Sequence, residues 1–190
     1  RLGDAHLSRG ATEPAIARYQ ACTTLANHAL ADAACNETKA DLVDVAAQSL
    51  AAAADITRDR NQFGPAIAQY QQALAMLESS EASTDAVARR RAFVLQVAIT
   101  LRIGNAYKSQ QLFAQAQTYI DQSIRVSRAM LKTWPRDIDG QDALINGLLG
   151  AAQLQSDLGH VAAITPLLNE ALQIAETLAG NDPSNVTFAN

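Results

Sequence analysis

The stretch Pro14-Ala15-Ile16-Ala17-Arg18-Tyr19-Gln20 returns 51 residues later as Pro65-Ala66-Ile67-Ala68-Gln69-Tyr70-Gln71, with six of seven positions identical. A chain that repeats itself is built as a stack of similar units, and its function is to be sought on the stacked surface rather than in a catalytic pocket. Working outward from this pair, small side chains recur at Cys22, Ala73, Ser123 and Ala171, at steps of 51, 50 and 48 residues. In the same register lie Ala15, Ala66 and Ala116, then Tyr19, Tyr70, Ile120 and Leu168. One Ala-x-x-x-Tyr match arises by chance in an alanine-rich chain; four copies in one register do not.

Alanine and leucine dominate the 190 residues, aromatics make up 5%, and alternating Thr-Val segments are missing. That composition predicts an all-α fold whose backbones approach closely. Antiparallel amphipathic helices need small residues where they cross and Leu, Ile, Phe or Tyr to fill the space beside the crossing. No apolar run reaches the ~18 residues of a membrane span, so no membrane span is expected. Local signals set the boundaries. Asn36 or Thr38 can cap a helix, Asn61 to Gly64 break one, and Ser83-Thr84-Asp85 open another. Thr133-Trp134-Pro135 close a helix, because the residue before proline leaves the helical region. Gly159 makes a further inter-helix turn, and Gly180-Asn181-Asp182-Pro183-Ser184 end a unit. The expected units are approximately 1–35 (partial), 36–82, 83–135, 136–182, and the start of another at 183–190. Arg1 in place of Met suggests a segment of a longer protein, cut inside a repeat at both ends, whose apolar Leu2, Leu7 and Phe188 would need a neighbour to cover them.

At the start of the chain stands Leu2-Gly3-x-x-His6-x-x-x-Gly10, followed by Ala15, Tyr19 and Cys22. This resembles the tetratricopeptide repeat (TPR), whose pattern has Leu-Gly, an aromatic three residues on, a second Gly, then small and aromatic residues on a second helix. Ile103, Gly104 and Tyr107 repeat the first part in the third copy, and Leu148, Ala151, Ala152 and Gly159 do so in the fourth. The resemblance implies an α-solenoid of antiparallel helix hairpins, a right-handed superhelix. The family's usual period is 34, whereas the copies here are 48 to 51 residues apart. The added residues are expected to lengthen each helix by about two turns, to roughly 20 residues or 30 Å.

The net charge of −4 speaks against nucleic acid as a partner, since phosphate binding needs clustered Lys and Arg. The basic run Arg89-Arg90-Arg91 is read chiefly as a solvated helix face, with a patch for an acidic partner as the alternative. Twelve arginines against three lysines, with the high alanine content, suggest a bacterial coding bias. Cys22 and Cys35 have no metal spacing and are read as small, buried or half-buried thiols. His6, His28 and His160 lie far apart, and no paired carboxylates, phosphate loop or nucleophile elbow is present. The expectation is therefore a non-enzyme, with no catalytic residue, no metal and no cofactor.

The TPR resemblance implies that a partner lies on the concave face, lined by the first helix of each hairpin. Carried over residue by residue, that face comprises Gln48, Asp55, Arg58 and Asp59 in the second unit, Asn105 and Lys108 in the third, and Asn146 and Gln153 in the fourth, with Ala51, Leu101 and Leu149 among them. Asp4 and Ser8 belong to the first. The Lys-Asn-Arg clamp with which some arrays of this family hold a C-terminal carboxylate is incomplete, because Ala51, Leu101 and Leu149 stand where a polar member is needed. The mixed charge of the face suits an uncharged or mixed peptide or protein partner. Two other readings stay open: self-association through the ends of the stack, and a regulatory or sensor region of an enzyme such as a protein kinase whose catalytic domain lies elsewhere.

Overall fold

A computed structural model describes residues 12–32, 36–81 and 85–181. Its elements are α1 (Thr12–Asp32), α2 (Asn36–Asp59), α3 (Phe63–Glu81), α4 (Ala86–Ser109), α5 (Phe113–Thr133), α6 (Ile138–Asp157) and α7 (Val161–Asn181). The fold is all-α, with no strand among the described residues. Helices of 19 to 24 residues match the length that the long period requires. Leu2, His6, Leu7, Gly10, Cys35, Phe188 and the sequence predictions placed on them lie outside the described residues.

The ends of the helices follow from local chemistry. Asp85 accepts hydrogen bonds from the Val87 and Ala88 N–H groups at 2.9 and 3.2 Å, satisfying two of the orphan donors at the start of α4. Asp137 does the same for Gly140 at 2.8 Å ahead of α6. The α5 helix stops where expected, with the Trp134 N–H closing on Met130 O at 2.9 Å before Pro135.

The three described turns inside hairpins are built alike. Asn61, Gln111 and Gly159 have φ of 61°, 59° and 76°, and they are spaced by the repeat itself, 50 and 48 residues apart. Each closes a Schellman motif. The N–H groups of Asn61, Gln111 and Gly159 donate to Arg58, Lys108 and Ser156 at 2.8, 2.9 and 3.0 Å. Those of Gln62, Leu112 and His160 reach back to Thr57, Tyr107 and Gln155 at 3.1, 3.0 and 2.8 Å. Only glycine adopts this left-handed backbone without steric cost, and asparagine tolerates it better than glutamine. The sequence marked Gly159 as a turn; the left-handed Gln111 carries no such signal.

The chain divides into two compact units, Arg1–Ile99 and Thr100–Asn190, with the boundary inside α4. In the first unit α1 packs on α2 and α2 on α3. Its buried side chains are mostly alanine, among them Ala15, Ala53, Ala54, Ala66 and Ala73, with Tyr19, Ile56, Tyr70 and Leu77 filling the space beside them. In the second unit α5 packs on α6 and α6 on α7 around Ile120, Ile124, Leu144, Leu148 and Leu154. Gly104 of α4 lies so close to α5 that a Cβ there would sit 2.8 Å from Ile120 Cγ1 and 3.4 Å from Ala116 O. Gly147 of α6 approaches Ile124 in the same way, at 2.9 Å. Small residues at these crossings are what allow the long helices to lie side by side.

Candidate functional site

Of the residues assigned to the inner face, Gln48, Asp55, Arg58 and Asp59 sit on α2, Asn105 and Lys108 on α4, and Asn146 and Gln153 on α6, each the first helix of a hairpin, while Asp4 and Ser8 lie outside the described residues. The first four belong to the first unit and the other four to the second. What the structure does with the two sets differs.

At the end of α2 the polar groups are consumed by one another. Tyr70 of α3 is fully buried, so its hydroxyl must find a partner, and it donates to Asp55 Oδ1 at 2.5 Å. Arg58 pairs with the same oxygen at 3.2 Å, donates to the Tyr70 hydroxyl at 3.4 Å, and holds Asp59 through two bonds of 2.9 and 3.1 Å. Burial opposes the charge on Arg58, but Asp59, Tyr70 and Asp55 outweigh it and hold the guanidinium above its ordinary range. Three of the four residues are thus tied into a knot that fastens α2 to α3. Gln48 is exposed, and Ala51, placed on the same face by the register, is buried in the core.

In the second unit no side-chain hydrogen bond or ion pair ties Asn105 or Lys108 to another described residue. The place of Tyr70 is taken by Ile120, which has no hydroxyl to satisfy. Asn105 and Lys108 are half-buried, and besides the bonds of the helix itself their backbone carbonyls accept from Ser109 Oγ at 3.1 Å and from the Gln111 N–H at 2.9 Å. Beside them Tyr107 stacks on Tyr119 with ring centres 5.5 Å apart. Leu101 touches α6 at Gly150, where a Cβ would lie 3.1 Å from Leu101 Cδ1. Asn105 and Gln153 stand about one turn further along their helices. Gln153 and Asn146 are exposed and donate to Asp157 at 3.0 Å and Asp142 at 3.1 Å, bonds within a single helix that water or a ligand can replace.

Two polar clusters were missed in the sequence. Arg91 of the basic run is neither merely solvated nor open to an acidic partner, because it bridges α4 to α2 through Asp44 Oδ2 at 2.9 Å and through Asp41. Asp44 is 5% exposed, its other oxygen has no partner, and burial pushes its carboxyl up while Arg91 pulls against that shift. In the second unit His160 Nδ1 donates to Gln155 Oε1 at 2.9 Å, Gln155 to Gln117 at 3.0 Å, and Gln117 to Asp121 at 2.7 Å. This chain runs along an open groove of about 600 Å³ between α5, α6 and α7. Spacings of 38 residues and more carry no signal that a single sequence displays.

Among the described residues no group of three His, Cys, Asp or Glu side chains could hold a metal ion, and no helix is long and apolar enough to cross a membrane. Cys22 is half-buried and free; His28 and His160 are exposed. No protein-family model matches the chain, and no curated protein matches it either.

Proposed function

We propose that the chain is a TPR-like α-solenoid, a right-handed superhelix of long hairpins, and that it acts as a non-enzymatic scaffold binding a peptide or protein on its concave face. The observation that carries this reading is the recurrence of one Schellman turn at Asn61, Gln111 and Gly159, at the period of the sequence repeat. The uncommitted Asn105 and Lys108, with Gln153 beside Asn105, supply the donors and acceptors for a mixed-charge segment. Asn146 lies on the same helix as Gln153, and Gln48, Asp55, Arg58 and Asp59 lie on α2, the first helix of the preceding repeat. The parent, on this reading, is a larger bacterial signalling protein.

The test is selection of binding peptides from a random display library, followed by titration against the variant carrying Asn105→Ala and Lys108→Ala. The selected peptides are expected to bind the variant at least tenfold more weakly, with helicity by circular dichroism unchanged. Equal binding would remove the concave-face proposal.

A further inference from the structure

The groove between α5, α6 and α7 is filled in one copy of the repeat and open in another. Its counterpart lies between α1, α2 and α3, where Ile16 and Ala53 stand in the places of Gln117 and Ala151. There Ile16 packs onto the cluster of Ala15, Tyr19, Ala53 and Ile56, and Gln69, in the place of Leu167, has its Oε1 enclosed. In the second unit Gln117 is drawn instead into hydrogen bonds with Gln155 and Asp121, and about 600 Å³ stays open beside it. The copy that opens also gains charge, because Arg125 and Arg128 replace Thr24 and Asn27. Space and cations therefore arrive together, by substitutions inside the repeat.

We infer that this groove binds a small apolar carboxylate, its hydrocarbon against Ile124, Pro166 and Leu167 and its carboxylate on Arg125. Leu148 and Ala151 seal the bottom. An acid four residues ahead of an arginine is the favourable order for an ion pair on a helix. Asp121 stands so before Arg125, yet its Oδ1 turns to Gln117 and the two do not pair. Arg125 lines the groove and makes no hydrogen bond or ion pair with any described residue. Its planar fork matches a carboxylate. Arg128 is occupied, since it bridges to Glu170 of α7 at 2.7 and 2.9 Å. Along α5 that bridge lies on one side of Arg125, and the bond between Gln117 and Gln155 lies on the other. A helix laid lengthwise meets both ties, whereas a compact molecule fits between them, and the volume is that of a small-ligand site.

The probe is octanoate, titrated below its micellar concentration into the ¹⁵N-labelled full chain. Amide shifts are expected at Ile124, Arg125 and Leu167. Octanamide, which keeps the hydrocarbon and lacks the charge, should bind at least tenfold more weakly, and so should octanoate to the Arg125→Gln chain. Gln117→Ile, which restores the side chain of the filled copy, should abolish binding. Arg125 is exposed, so its replacement leaves the fold intact, which circular dichroism verifies for both variants. No shifts, shifts centred on Leu25 and Val45, or undiminished binding by octanamide or by either variant chain would overturn the inference. So would a concentration-dependent dimer of the chain abolished by Gln117→Ile, which assigns the groove to a second copy. Asn105→Ala with Lys108→Ala should leave octanoate binding unchanged, so the groove and the concave face stand or fall separately.

Discussion

The end of α2 and the end of α4 occupy the same register of the repeat and do opposite things. The first pairs Ala54, Asp55 and Arg58 with Tyr70; the second pairs Gly104, Asn105 and Lys108 with Ile120. A phenol at the crossing brings a hydroxyl into the core, and an acid and an arginine are recruited to satisfy it. An isoleucine makes no such demand. Its branched side chain needs room instead, which the missing Cβ of Gly104 supplies, and the amide and amine beside it stay available. The occupant of one buried position thus decides whether its neighbours on the first helix are drawn into holding the fold.

The sharpest way to break the α4 side is to restore the side chain that Gly104 lacks. Gly104→Val forces carbon into Ile120 Cγ1 and the Ile120 backbone nitrogen, 2.8 and 3.3 Å from the new Cβ. A loss of about 3 kcal/mol is expected, at the upper end of overpacking costs, read as a lowered urea midpoint. On the α2 side, Asp55→Ala strands the buried Tyr70 hydroxyl and should cost about 2 kcal/mol. Adding Tyr70→Phe should recover part of that loss; a strictly additive double variant would show that the hydroxyl does not depend on Asp55.

Smaller effects test the turns that both ends share. Gln111→Gly should stabilise by about 0.5–1 kcal/mol, Asn61→Gly by less, and Gly159→Ala should destabilise by about 1 kcal/mol. The smallest expected signal is pH dependence at Asp44. Its carboxyl titrates above the ordinary aspartate range, chiefly through burial. The folded state therefore binds this proton more tightly than the unfolded one. Its contribution is fully present below about pH 4 and is lost as pH rises through the raised value. Asp44→Asn should flatten that decline in urea midpoints measured from acid to neutral pH.

Period, helix class and most crossing residues were legible in the sequence because small side chains recur where two backbones meet, as at Gly104 and Ala116, whereas Gly147 falls outside that register. The fate of polar residues was not. Arg58 and Lys108 look interchangeable along the chain, and only the side chain across the crossing, Tyr70 or Ile120, separates them. Ala51 illustrates the same limit, since a register copied from a 34-residue period assigned it to a surface that the longer helices bury. Arg91 looked like part of a solvated run because its partners lie 47 and 50 residues upstream.

The Schellman turns carry a kinetic consequence. Each one reverses the chain within a few residues, so the first contacts of every hairpin close short loops and cost little chain entropy. A protein assembled from such local pairs is expected to collapse within milliseconds, with any one hairpin able to act as nucleus and the others zipping onto it. Among the three turns, the left-handed backbone at Gln111 costs more than the same backbone at Gly159 and is expected to close least readily.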